Sequence, residues 1–149
     1  FFERAGIKDT LAYLRLVANR ADDAAFERAV NTPTRGIGGR TLDEVRRHAR
    51  ENAASMFDAS IALSNAGALS VAGALAGRAR NALRAFVELI EALARELDGL
   101  DLKEQVDHVL LRTGLRDHYA AESKGTLDSR TDNLDELVSV ASRFVRRDE

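Results

Sequence analysis

The sequence predicts an all-α fold, an irregular multi-helix bundle that contains a helix-hairpin-helix-like turn. Apolar residues recur at steps of three and four along most of the 149 positions, and no segment shows the two-residue alternation of a strand. Hydrophobic residues make up 45% of the chain but aromatic residues only 5%, so we expect a core of helices packed on helices. A proline and three glycines interrupt the pattern between residues 33 and 39. The length suits a single helical domain over residues 1–149.

Composition excludes several classes of protein. The chain has no cysteine, which excludes disulfides, thiolate metal sites and thiol catalysis. Its net charge of −2 excludes a globally basic nucleic-acid binder, so any DNA contact must come from a local patch. No apolar run approaches a membrane span and the start is not a signal peptide, so we expect no membrane partner and a cytoplasmic location. The start at Phe1 and the charged end Arg146–Glu149 lead us to expect a piece cut from a larger protein.

The first part of the chain predicts a lead-in and two helices. Residues Phe1–Arg4 are expected to end a strand or to be extended. Asp22 or Asp23 can cap a second helix, which Pro33 stops. The first helix is predicted from Ile7 to about Asn19, with an apolar stripe formed by Ile7, Leu11, Tyr13, Leu14, Leu16, Val17 and Ala18. The inner face of the second helix is formed by Phe26, Ala29 and Val30.

The third helix is predicted to begin with a capping box, in which Thr41 is the N-cap and Glu44 the N3 residue. Between Phe26 and Arg50 there are six arginines and three acidic residues, so this segment carries a local charge of +3. The residues expected to point inward are Leu42, Val45 and Ala49, and those expected to form a basic outer side are Arg46, Arg47 and Arg50.

The rest of the chain predicts further helices. One starts near Ser55, carries Phe57 and Ile61 and is broken at Asn65–Gly67. The longest runs from roughly residue 71 to 97. Asp101 and Glu104 form a second predicted capping box, for a helix that ends at Gly114. A short helical turn around 115–119 and a loop over 123–126 follow, and a last helix carries Leu134, Leu137, Val138, Ala141 and Phe144.

The stretch Gly36-Ile37-Gly38 between two predicted helices is typical of a turn that presents backbone N–H groups to a phosphate. Its glycines permit positive φ and leave no Cβ between the backbone and a ligand. Ile37 would point inward and pin the turn. The N–H groups of Gly38, Gly39 and Arg40 would lie at a helix start, where the macrodipole favours an anion. Such contacts bind phosphate rather than base edges, so binding would be non-specific and strongly salt-dependent. The alternative is a plain interhelical turn.

The chain resembles the UvrD/PcrA/Rep group of superfamily-1 DNA helicases and is similar to the UvrD type. Three stretches carry the resemblance: Phe1–Asp9 with its continuation through Ala12–Arg15, the turn Thr32–Gly38, and the late Arg-x-x-Asn-Leu-x-Glu-Leu segment Arg130–Leu137. Gly6 departs from the group, which usually has an acidic residue there. The resemblance covers essentially the whole chain and implies the helical subdomain labelled 2B.

This resemblance implies a duplex-binding, regulatory role in a 3′-to-5′, ATP-dependent repair helicase. The subdomain would be inserted in a motor domain, would swivel as a body, and would hold the duplex at a single-strand/double-strand junction while the motor domains pull. Its implied DNA-binding residues are Thr34, Arg35, Gly36, Ile37, Gly38, Gly39, Arg40 and Thr41. ATP and Mg would belong to the parent enzyme. This chain has no Gly-x-x-x-x-Gly-Lys-[Ser/Thr] loop, so we expect no cofactor, no catalytic residue and no ATP hydrolysis in the piece alone.

Other residue groups favour structural roles. The spacing of His48, His108 and His118 predicts no metal site, and solvent-facing or capping histidines are favoured. The carboxylates expected to form a solvated helix face are Glu88, Glu91, Glu96 and Asp98. Ordinary surface charge is favoured over a second backbone contact for Arg112, Arg116 and Lys124. A structural tie to the first helix, through Arg4 or Asp9, is favoured for Arg130, Asn133 and Glu136.

The same residues allow one other function and disfavour a second. A protein-interaction module that docks repair proteins is compatible with the same chain and remains an alternative. A glycosylase-like enzyme would need a catalytic aspartate in a Gly/Pro-rich loop after the hairpin, and the single proline, Pro33, is already used in the turn.

Overall fold

The computed structural model describes residues 2–65 and 77–122, and these form helices without a strand, which confirms the all-α prediction. Their order is α1 (Phe2–Ala18), α2 (Asp23–Ala29), α3 (Gly39–Glu51), α4 (Met56–Asn65), α5 (Gly77–Glu96), α6 (Leu102–Arg112) and α7 (Leu115–Glu122). In these ranges no helix is long and apolar enough to cross a membrane.

The core forms where α1 packs against α2, α5 and α6, while α4 packs between α3 and α5. Tyr13, Phe26 and Phe86 are among its largest fully buried side chains. The rings of Phe26 and Phe86 meet edge to face, with centroids 5.4 Å apart and an interplanar angle of 88°. This geometry is a favourable one for two aromatic rings. The helices that flank the glycine turn, α2 and α3, therefore contribute buried side chains to a packed core.

The expected extended lead-in at Phe1–Arg4 is wrong for the residues that are described, because α1 already begins at Phe2. Two adjacent phenylalanines favour a strand in isolation. No proline separates Phe2 from the apolar pattern of α1, so the helix continues back to Phe2. Burial also differs along α1: Ala18, placed on the predicted stripe, is exposed, whereas Asp9 and Thr10 are buried.

The predicted helix ends are confirmed at α2 and α6. Asp22 caps α2 by accepting a hydrogen bond from the N–H of Ala25 at 3.0 Å. Asp101 and Glu104 form the predicted capping box of α6. Gly114, just beyond α6, has φ +87°, the left-handed conformation expected after a helix. The inner faces are confirmed as well: buried are Phe26, Ala29, Val30, Leu83, Phe86, Ile90, Leu93, Val106, Val109 and Leu110.

The start of α3 differs from its prediction. The helix begins at Gly39 with Gly38 as its N-cap, so the capping box at Thr41 and Glu44 is wrong. The Gly38 carbonyl accepts a hydrogen bond from Leu42 N at 3.0 Å, so the first turn closes on an N-cap three residues before Thr41. Glu44 instead pairs with Arg47 one turn later.

Helix α7 extends to Glu122, beyond the short turn predicted around 115–119. Several predictions lie outside the described residues: the start of the longest helix near residue 71, the loop over 123–126 with Lys124, and the last helix. The proposed tie from Arg130, Asn133 and Glu136 to the first helix lies outside them too.

Candidate nucleic-acid interface

The turn between α2 and α3 is held by one buried side chain and one glycine. Ile37 is 1% exposed, so it anchors the turn to the core as predicted. Gly36 has φ +79°, a conformation that residues with a Cβ rarely adopt. A Cβ built on Gly36, Gly38 or Gly39 would meet nothing within 4 Å, so the backbone at these three positions faces open space.

Asn31 closes this turn from within. Its Nδ2 donates a hydrogen bond to the carbonyl of Ile37, and its Oδ1 accepts one from the N–H of Arg35 at 3.4 Å. The Thr32–Pro33 peptide bond within the turn is cis. Sequence reasoning missed Asn31. The available signal was the enrichment of asparagine just after helices, where its side chain replaces missing backbone partners.

The N-terminus of α3 has no side-chain cap. Its N-cap is Gly38, whose φ of −81° and ψ of 179° are extended. The first N–H groups of any α-helix lack an acceptor inside the helix, and here these groups belong to Gly39, Arg40 and Thr41. Helices α2 and α6, in contrast, have aspartate caps. The α3 terminus therefore offers backbone donors and the positive end of a helix dipole to an anion.

Arg35 points into the protein. Its Nη2 donates to the hydroxyl of Tyr13 at 2.6 Å and to the carbonyl of Thr113 at 3.0 Å. Its Cζ lies 5.8 Å from the ring centroids of both Tyr13 and Phe86. The guanidinium is thus held at the C-terminal end of α6, where carbonyl dipoles favour a cation.

Half of the six arginines in this segment are already in ion pairs. Arg28 bonds to Asp9 at 2.8 Å and Arg47 pairs with Glu44. Arg46 pairs with Glu27 at 2.6 Å and with Asp43 at 2.7 Å. The predicted basic outer side of α3 is therefore largely neutralised. In the part of the chain that is described, two exposed arginines of this segment have no ion-pair partner, Arg40 and Arg50.

The eight sequence-predicted site residues separate into three groups. Ile37 is buried and Thr41 is 7% exposed, so they can reach a ligand through the backbone alone. Arg35 is half-buried and engaged with the core. The exposed ones, which we call the turn surface, are Thr34, Gly36, Gly38, Gly39 and Arg40.

Outside the turn, charged groups form local pairs. Glu96 accepts hydrogen bonds from the side chains of His108 at 2.7 Å and Arg112 at 3.2 Å, and the His108 bond, followed by that of Arg112, lowers the pKa of its carboxyl. Arg116 pairs with Asp107 at 2.9 Å. These contacts account for Arg112 and Arg116 as surface charge. Among the residues the structure describes, no group of three histidine or acidic side chains is arranged to hold a metal.

Comparison with known proteins relates the chain to DNA helicases. Residues 1–65 match the model of the UvrD-like helicase C-terminal domain family. The chain is 49% identical over all of its 149 residues to DNA helicase II of Escherichia coli K12 and 45% identical over 148 residues to DNA helicase II of Haemophilus influenzae. It is 37% identical over 149 residues to the ATP-dependent DNA helicase PcrA of Bacillus subtilis. The chain spans about a fifth of the length of these relatives, 20%, 20% and 19% respectively.

Proposed function

We propose that this chain, a UvrD-like helicase segment by sequence, is the duplex-DNA-binding, regulatory 2B subdomain of a 3′-to-5′ helicase. It forms a single helical unit over residues 1–149 and grips the phosphate backbone at a single-strand/double-strand junction. The motor domains that use ATP and Mg lie outside this chain, and the parent enzyme acts in DNA repair in the cytoplasm.

The observation that supports the grip most directly is the uncapped start of α3. The N–H groups of Gly39 and Arg40 belong to its first turn, and no Cβ stands over Gly38 or Gly39. A phosphate oxygen can therefore approach the backbone donors closely. Arg40 adds an exposed cation at the same place. Backbone donors and one arginine do not distinguish bases, so this surface holds the duplex without regard to sequence.

The burial of Ile37 also supports a role of the turn in holding DNA. An apolar anchor beneath the turn keeps the donors fixed before DNA arrives, so little conformational freedom is lost on binding. Few phosphates are covered by one turn. We therefore expect weak binding whose salt slope, roughly one unit for each phosphate neutralised, is smaller than the strong salt dependence expected from the sequence.

The test is a Gly38→Asp substitution. The extended backbone at Gly38 accepts a side chain, and aspartate is a preferred N-cap, so the fold should keep or gain a few tenths of a kcal/mol. Its carboxylate would occupy the α3 donors and repel phosphate. We expect duplex affinity, measured by fluorescence anisotropy across a salt series, to fall at least about tenfold, since each charge-assisted bond contributes roughly 1.5–3 kcal/mol.

Two matched variants separate the causes. Gly38→Asn caps the same donors without a charge and should lose part of the affinity. Ser55→Asp adds the same charge at the start of α4, where the Ser55 hydroxyl already accepts from Asp58 N at 3.1 Å. That site lies beyond the far end of α3, about 20 Å from Gly38 by the helix rise, and should leave binding unchanged. Equal affinity of Gly38→Asp and wild type would refute the grip.

A further inference from the structure

We propose that Arg35 is a positioning residue, which sets the conformation of the turn from inside the protein and does not bind phosphate itself. The inference deepens the proposed function and rests on it for the role of the turn. It reassigns a residue that sequence reasoning counted among the DNA contacts.

The hydrogen bonds of Arg35 place its charge away from the turn surface. One nitrogen, Nη2, bonds both Tyr13 and Thr113, and Tyr13 is fully buried. The Nε atom is itself buried and has no hydrogen-bond partner in the described part of the chain. An arginine turned outward to a phosphate would have to leave both bonds and both aromatic rings.

Tyr13 links Arg35 to the entry of the turn. Its hydroxyl lies 2.6 Å from the carbonyl of Thr32 and 3.0 Å from that of Ala29. Burial raises the pKa of the phenol, so it stays protonated. Its single O–H is shared between these two carbonyls, while its oxygen accepts from Arg35. The end of α2, the turn and α1 therefore meet at one hydroxyl.

The other bond of Arg35 links the turn to the end of α6. Thr113 is the C-cap of α6, and its carbonyl accepts the hydrogen bond from the guanidinium of Arg35, which lies 78 positions earlier in the chain. A Cβ built on the next residue, Gly114, would lie 3.5 Å from Cγ of Pro33, so the turn also contacts this corner directly. The side chains of Arg35 and Ile37 are directed inward, whereas Gly36 between them is exposed and has open space where a Cβ would lie. This alternation holds the glycine backbone at the surface.

The test compares charge-preserving changes at two arginines. Arg35→Lys keeps the charge, but the lysine side chain is shorter and has no planar guanidinium to contact the two rings, so we expect duplex affinity to fall about tenfold. Arg40→Lys should stay within about threefold of wild type, because a phosphate contact needs chiefly the charge. Arg40→Gln should reduce the salt slope by about 1.

A second readout needs no DNA. In the ¹⁵N-labelled chain, the amide resonances of Gly38 and Gly39, which are not sequence neighbours of Arg35, should shift in Arg35→Lys and in Tyr13→Phe. Those of Gly36 and Gly38, which are not sequence neighbours of Arg40, should stay in place in Arg40→Gln. Tyr13→Phe removes only the hydroxyl and keeps the packed ring, so it replaces Arg35→Lys if that variant does not fold.

The proposal fails if Arg35→Lys binds like wild type with unmoved glycine resonances, or if Arg35→Gln lowers the salt slope by about 1 with those resonances unmoved. Absence of duplex binding by the wild type would overturn the proposed function alone, because the glycine resonances still report whether Arg35 sets the turn.

Discussion

The hydroxyl of Tyr119 donates a hydrogen bond to the carboxylate of Asp9, across 110 positions of the chain. The second oxygen of Asp9 accepts a hydrogen bond from Arg28 Nε at 2.8 Å. Asp9 is only 6% exposed, so this carboxylate is taken from water and satisfied by two donors. A single side chain on α1 thereby joins α7 to α2, the helix that leads into the glycine turn.

This network predicts a large loss of stability in Asp9→Ala. The change removes the carboxylate to which the buried hydroxyl of Tyr119 and the exposed guanidinium of Arg28 donate, which should cost about 3 kcal/mol in the free energy of unfolding. Tyr119→Phe removes one bond and should cost about 1 kcal/mol. Urea denaturation measures both. The control is Asp107→Ala, which breaks an exposed pair with Arg116 and should stay within about 0.5 kcal/mol. Similar losses at Asp9 and Asp107 would contradict the buried network.

The backbone conformation predicts different effects on stability for alanine at Gly36 and alanine at Gly39. Gly36→Ala forces a Cβ into φ +79° and should destabilise the chain by about 1–2 kcal/mol. Gly39→Ala lies in the first turn of α3 with open space around its Cβ, and should be neutral or stabilising by up to about 0.5 kcal/mol. Thermal unfolding followed by circular dichroism distinguishes them. A Gly36→Ala variant as stable as wild type would mean that the turn relaxes without a left-handed residue.

The start of α3 predicts that the hydroxyl of Thr41 does not act as a cap. Thr41→Val keeps the shape of this buried side chain and should change stability by less than about 0.5 kcal/mol. Asp101→Ala removes an observed cap from α6 and should cost about 1 kcal/mol. The two variants are compared by urea denaturation. A loss near 1 kcal/mol in Thr41→Val would favour a helix that begins at Thr41 after all.

The pair between Glu27 and Arg46 predicts a contribution that depends on pH. The hydrogen bond from Arg46 lowers the pKa of Glu27 below its ordinary value of 4.5. A carboxyl whose pKa is lowered by folding stabilises the folded state above its unfolded pKa, and this contribution is lost as the pH falls through the lower folded value. The side chains are 38% and 37% exposed, so solvent screening keeps the contribution below about 1 kcal/mol.

We therefore expect Glu27→Gln to be less stable than wild type at neutral pH and equal to it in strong acid. The difference should shrink as the pH falls below about 4.5 and should also shrink in high salt. Glu91→Gln, at an exposed carboxylate of α5 that has no ion-pair partner among the described residues, is the control. A pH-independent difference for Glu27→Gln would assign its effect to packing rather than to charge.

Local features of this protein could be predicted well from the sequence. The helical spacing of Leu83, Phe86 and Ile90, the capping box at Asp101, and the left-handed glycine after α6 all depend on residues within a few positions. The burial of Ile37 could also be predicted, because an apolar side chain between two glycines in a short turn avoids water only by packing against the core. The failure at Thr41 has a local cause as well: two glycines before it allowed α3 to begin earlier.

By itself, then, the sequence determined the all-α class, the main helices and the position of the glycine turn, since periodicity and chain breakers act over a single helical turn. Tertiary structure alone decided which charges are available. Arg46 meets Glu27 from 19 positions away, and Arg35 meets Thr113 from 78, and such partners cannot be predicted from local spacing. A charge's role depends on what lies within a few ångströms of it, and folding brings those atoms from distant parts of the chain. For that reason Arg40 remains at the turn surface while Arg35, five residues earlier, lies against the core.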